Sequence, residues 1–307
     1  MSISIIGKTN IDFIGMRKTT FIISAIVAIA GIYSLVLMFT GKANLGIEFG
    51  GGTMIQGNFD RPMEIGALRD AITDAGFTDA TIQELTRAIP NSFVIRTKLI
   101  SETTAGKGAD IEAVLRAAFP DNPFHLDSIH EVGPAVGQTL QKQARLAALI
   151  SLIGILIYVA VRFDFRFGVA ATIAMLHDVF AALAIVYFFN WEVSVLVISA
   201  VLTLAGYSLT DKVVVFDRIR ENLKMMRRKV DFVPGVNLSI NEVLSRTIIT
   251  SLTTFLATLA IVIAGGEVLR EFAALLTIGI AIGTYSSVFV ASPIYVEWEN
   301  RKPKRFK

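Results

Sequence analysis

The apolar residues of this chain come in blocks. Six stretches, about 19–39, 144–161, 169–189, 193–214, 247–265 and 272–296, carry few charges. Each runs to roughly 18–25 residues, the length a helix needs to cross about 30 Å of hydrocarbon. That block length places the chain among polytopic membrane proteins before any motif is read. Composition agrees. Mean hydropathy is +0.60, and 53% of the 307 residues are hydrophobic against 18% charged, where a soluble domain carries about one quarter charged. There is no cysteine, so the fold depends on neither disulfides nor thiolate-bound metal. A net charge of +3 excludes a global nucleic-acid footprint.

Basic residues in the short loops orient the spans. Lys8, Arg17 and Lys18 precede the first, and Arg162 and Arg166 separate the second from the third. Arg218, Arg220, Lys224, Arg227, Arg228 and Lys229 separate the fourth from the fifth, and Arg301, Lys302, Lys304, Arg305 and Lys307 follow the sixth. The alternate loops, 190–192 and 266–271, hold only Arg270. The expected topology has a cytoplasmic N-terminus (1–18), transmembrane helix 1 (19–39), a translocated domain (40–140), transmembrane helices 2–6 within 141–297 with a cytoplasmic loop at 215–246, and a cytoplasmic C-terminus (298–307). Cleavage of the first span as a signal peptide is the alternative. Gly41-Lys42-Ala43 loosely fits a cleavage site, but the apolar run is too long for a signal-peptide core.

The hydrophilic stretch reads as strand–helix–strand–strand–helix–strand. Thr53, Ile55, Gly57 and Phe59 alternate with polar neighbours as in a half-buried strand. Ile65, Leu68, Ile72 and Ala75 follow at helical spacing, with Pro62 near the helix start and Gly76 at its end. Segments 81–85 and 93–97 flank a Pro90-Asn91 turn. Ile111, Val114, Leu115 and Ala118 mark a second helix, and 124–132 closes the set. This order predicts a ferredoxin-like α+β domain. His125, Asp127 and His130 are better read as surface polar residues than as metal ligands, since one face of a strand shows only some of them.

Ionisable groups inside the spans carry the functional signal, because each costs several kcal/mol in hydrocarbon and faces a bundle interior or a wet path. His177 and Asp178 lie in the third span. Asp211 lies in the fourth, followed by Lys212, and Tyr207, Ser208 and Asp211 share a helix face by spacing. Arg246 opens the fifth span, and Thr250, Thr254 and Thr258 continue its stripe. Arg246 and Asp211 both fall toward the cytoplasmic side, so they can pair. Two readings stay open: a proton relay, in which desolvation and a movable cation tune a buried carboxylate, or a static ion pair of Asp211 with Lys212 or Arg246 that fixes packing. Asp178 reads as structural.

Elsewhere the bland reading is stronger. Gly279, Gly283 and Ser287 repeat at four-residue spacing, which suits close helix packing. Arg227-Arg228-Lys229 suits anionic headgroups or topology. Gly50-Gly51-Gly52 lacks the context of a phosphate loop and reads as a tight lead-in to the translocated domain.

Several segments carry a family resemblance. GYSLTDKVVVFDRIREN (206–222), NLGIEFGGGT (44–53), VGPAVGQTL (132–140), YVAVRFDFRFG (158–168), LHDVF (176–180), SRTIITSLTT (245–254) and GTYSS (283–287) resemble, in order, the motifs of the SecD/SecF protein-export family. Glu48 and Lys212 depart from its usual Asp and small polar residue. The resemblance implies half of an RND-superfamily bundle in the bacterial inner membrane. It implies pairing with SecD, association with the SecYEG channel and YajC, and contact with unfolded secretory polypeptide. It also implies the proton-motive force as energy source with no cofactor and no enzymatic reaction, and it places proton coupling on Asp211 and Arg246. His177, Asp178, Tyr207, Ser208 and Thr250 are the supporting candidates. A passive structural subunit of the channel and a proton-coupled exporter of lipids or small solutes remain as competing functions.

Overall fold

The computed structural model describes residues 9–40, 43–85, 90–98, 107–225 and 232–303. Lys8, Gly41-Lys42, Arg227-Arg228-Lys229, Lys304, Arg305 and Lys307 lie outside these residues.

Among the described residues, six helices are long and apolar enough to cross a membrane, the number and order the apolar blocks require. They are α1 (Arg17–Phe39), α5 (Pro134–Arg162), α6 (Phe165–Phe188), α7 (Val195–Met225), α8 (Phe232–Ala264), and α9 (Glu267–Ser286) continued by α10 (Ser292–Arg301). Each covers its expected span to within two residues, α6, α7 and α8 each falling one or two short at one end, but α5, α7 and α8 run well past it at the other, because hydropathy registers only the part of a helix that meets lipid. The stretch 215–246 is accordingly helical on both flanks.

The sixth span is expected as one uniform helix and is interrupted instead. Residues Ser287–Ala291 form a π turn, with Pro293 opening α10. Ser292 Oγ donates to the carbonyl of Ser287, a side-chain bond that occupies a backbone acceptor in the widened turn. A proline removes a donor and a π bulge loosens the ladder, which is where a helix bends.

Helices α6, α7 and α9 form the inner layer, and their facing residues are mostly small or branched: Ala182, Val186, Val197, Ala200, Leu204 and Leu275 make one core cluster. A larger cluster at the other end holds Phe167, Phe216, Val236, Ile240 and Tyr295, and draws in Phe13 and Ile14 from ahead of α1. Those two are anchored by α8, where Asn237 and Asn241 side chains bond the backbone of Ile14 and Ile11. The small-residue stripe of α9 packs on α7: Gly279 faces Leu204 and Gly283 faces Ser208. Helices α1 and α5 turn most of their large apolar side chains outward, among them Ile22, Ile26 and Ile29, and Leu146, Ile150 and Ile157.

Between α1 and α5 sits the α+β domain: α2 (Ile47–Gly50), β1 (Gly52–Phe59), α3 (Ile65–Asp74), β2 (Thr81–Glu84), β3 (Ser92–Lys98), α4 (Lys107–Ala118) and β4 (Phe124–Val132). Its sheet has the order β2-β3-β1-β4 with every pairing antiparallel, the ferredoxin-like arrangement. The alternation in β1 sends Ile55 and Phe59 into a core with Leu68, Ile72, Phe93, Ile95, Ile111, Leu115 and Phe124. Pro62 lies ahead of α3 rather than in its first turn, since the chain stays irregular through Glu64. Asn91 takes a left-handed φ of 58° in the turn before β3. Gly51 has φ 73°, a conformation costly for any other residue, so the glycine run makes a sharp turn between α2 and β1. His125 contacts Asp60 at 2.9 Å, so its ring is engaged at the far end of β1.

Candidate functional site

The centre of the bundle holds a buried polar cluster contributed by three helices. From α6 comes Asp178, from α7 Ser208 and Lys212, and from α9 Ser286, all of them 0% exposed. Lys212 Nζ lies 2.8 Å from Asp178 Oδ2 and donates to Ser286 Oγ at 2.9 Å, to Ser208 Oγ and to the Ser208 carbonyl. Ser208 and Ser286 hydroxyls donate in turn to the same carboxylate oxygen. The other oxygen meets His177 Nδ1 at 2.9 Å, and an ionised carboxylate can only accept, so that nitrogen carries the proton. Each hydroxyl thus accepts from the ammonium and donates to the carboxylate, closing a network around one buried ion pair. Such a pair is tolerable only when its remaining donors and acceptors are satisfied.

Asp211 belongs to a second, separate group. It is 3% exposed, and its Oδ2 accepts from Ser251 Oγ of α8 at 3.0 Å and from Thr284 Oγ1 of α9 at 3.4 Å. The two hydroxyls are themselves 2.7 Å apart. Among the described residues no ion pair reaches this carboxylate.

Two expectations are corrected here. Arg246 does not pair with Asp211. It is exposed on α8 and lines a charged cleft of about 570 Å³ with Asp217, Arg218, Glu221 and Glu242. Ser251, which faces Asp211, lies five positions further on, about 7.5 Å along the helix and about 140° around it, so the turn of α8 that meets Asp211 does not present Arg246. The shared face of Tyr207, Ser208 and Asp211 also divides. Ser208 turns to Asp178 on α6, Asp211 turns to α8 and α9, and Tyr207 reaches the Thr250 carbonyl at 3.3 Å. The Thr250 hydroxyl bonds its own helix at Arg246 O.

Lys212 pairs with Asp178 rather than with its chain neighbour Asp211, and Ser251, Thr284 and Ser286 are site residues that the sequence does not single out. Ser251 and the pair Thr284 and Ser286 fall inside two of the family-like segments, SRTIITSLTT and GTYSS. Lys212 carried a signal as well, since a lysine one residue beyond a mid-span Asp needs a counter-charge somewhere in the bundle.

Residues 111–301 match the family model described as protein export membrane protein SecD/SecF, C-terminal. The chain is 46% identical over 293 residues to a protein translocase subunit SecF from Thermodesulfovibrio yellowstonii, covering 95% of this chain and 96% of that one. It is 35% identical to the subunit of that name from Pseudomonas aeruginosa, covering 95% and 92%. Among solved structures it is similar to SecDF of Thermus thermophilus, described as a translocon-associated membrane protein, with a TM-score of 0.82 at 35% identity over 98% of this chain. A SecDF structure in a super-membrane-facing form gives a TM-score of 0.68. The chain spans 40% of the length of each of these SecDF chains.

Proposed function

The chain belongs to the SecD/SecF family of protein-export membrane proteins, and we propose that it works beside a SecD-type chain to turn proton movement through the bundle into promotion of polypeptide export. It is a multi-pass membrane protein of the Sec export pathway. The proposal extends this to a bacterial inner membrane with both termini cytoplasmic and the ferredoxin-like domain outside, where it meets unfolded secretory chain near the SecYEG channel, with YajC as a further associate.

The observation that carries the proton reading is the partner set of Asp211. Its carboxyl is buried, and among the described residues its hydrogen bonds come from two hydroxyls, of Ser251 and Thr284. A hydroxyl both donates and accepts, so the same two residues can satisfy Asp211 with or without its proton. Asp178 differs, because Lys212 and two serines all donate to it. The static ion pair of the bundle is therefore assigned to Asp178 and Lys212, and the exchangeable proton to Asp211. Arg246, in the charged cleft farther along α8, is assigned as the cation that approaches Asp211 in another state of the bundle. Tyr207 and Thr250 tie α7 to α8 beside it.

Support for a partner comes from the outward faces of α1 and α5 and from the fraction of the SecDF chain that this one spans. Export of a secreted reporter in cells whose only copy carries Asp211→Asn tests the reading. The expected outcome is lost export with wild-type amounts of assembled complex. Normal export would recast the chain as a passive subunit.

A further inference from the structure

We infer that the turn joining α6 to α7, residues 190–194, is the element through which the proton-responsive helices act on the external domain, with Glu192 and Val193 as its positioning residues. The inference rests on the proton reading above and names where that chemistry is transmitted.

Three observations meet at this turn. It is bonded to the root of the domain: Leu45 and Val193 form a parallel bridge, in which Val193 N donates to Asn44 O at 2.7 Å and Gly46 N donates to Val193 O at 3.1 Å. Asn44 Nδ2 adds a bond to Asn190 O at 3.3 Å, and Arg96 of β3 pairs with Glu192 at 3.6 Å. The turn is also stiff. Asn190 is left-handed at φ 51°, Trp191 N bonds back to Val186 O at 2.9 Å, and the Phe189 and Trp191 rings stack. Trp191 and Val193 pack on the cluster of Ala182, Val186, Val197 and Leu275, so the turn moves with α6 and α7. Finally, those two helices carry Asp178, Asp211 and Lys212, whereas the apolar stretches 19–39 and 146–161 of α1 and α5, which join the domain covalently, carry no charged residue. A change at Asp211 thus reaches the domain through the turn, by contacts that stay closed.

The absence of native cysteine allows a clean test in membrane vesicles containing the assembled machinery. Parallel neighbours lie within reach of a disulfide, so Leu45→Cys with Val193→Cys should oxidise, and export should continue in both redox states. Adding Glu192→Arg to that pair sets two cations against each other. Export by this variant should match wild type when oxidised and fall at least about fivefold on reduction, the lower end of a typical coupling between sites. A folding role would not switch with reductant after assembly. Failure of the cysteines to join, loss of export on oxidation of the simple pair, or no redox response in the charge-reversed variant would each overturn the inference. Asp211→Asn measured in parallel keeps the readings apart, since normal export there removes the proton reading alone.

Discussion

At the scale of single residues, the bundle gives its two mid-span carboxylates different partners. Asp178 is neutralised by a lysine one helix away, whereas the hydrogen bonds to Asp211 among the described residues come from the hydroxyls of Ser251 and Thr284. Lys212→Met should therefore cost about 3–5 kcal/mol of stability, because it strands a buried carboxylate. Asp178→Leu combined with Lys212→Met should recover much of that loss, since an apolar pair of similar volume avoids the desolvation penalty. Thermal unfolding in mild detergent reads both. The carboxylates were legible in the sequence because a charge in an apolar block stands out. Their partners were not. Lys212 follows Asp211 in the chain but turns to another helix, and serines and threonines inside a span usually bond their own backbone, as Thr250, Thr254 and Thr258 do here. Only the packing of α8 and α9 singles out Ser251, Thr284 and Ser286 from these. Arg246 is the converse case: the start of the apolar stretch suggests a contact with Asp211, but α8 begins well before it, at Phe232, and turns Ser251 to that carboxylate instead.

At the scale of elements, close approach decides the architecture. Helix α1 crosses α6 so tightly that a Cβ on Gly31 would lie 2.2 Å from the Phe180 carbonyl oxygen. Backbone cannot yield as a side-chain tip does, so Gly31→Leu should force the helices apart. The expected loss is about 2 kcal/mol or more, read as a lowered melting temperature and a fall in the monodisperse fraction. The stripe of α9 was readable as a packing face from its four-residue period, and Gly279 and Gly283 do face α7. The lengths of α5, α7 and α8 were not, because their ends leave the lipid and lose the apolar signal. Nor was the π turn at 287–291, which has no composition of its own beyond the proline that follows it.

At the scale of the whole molecule, alternation and helical spacing in 52–132 give the strand and helix order of the ferredoxin-like domain, and block length gives the spans, while the short α2 ahead of β1 carries no such signal. What lay beyond reach was how the two parts join. The bridge between residues 45 and 193 and the anchoring of residues 11–14 on α8 are long-range contacts made by ordinary residues, which no periodicity marks. The first of these ties the root of the α+β domain to the turn between α6 and α7, and the proposed function requires that protons move through the bundle so joined. The most direct measurement is proton uptake by proteoliposomes holding this chain with its SecD-type partner under an imposed gradient, followed with an internal pH dye. Wild-type complex should relax the gradient faster than complex carrying Asp211→Asn, with equal protein incorporated. Equal rates for the two would contradict the account.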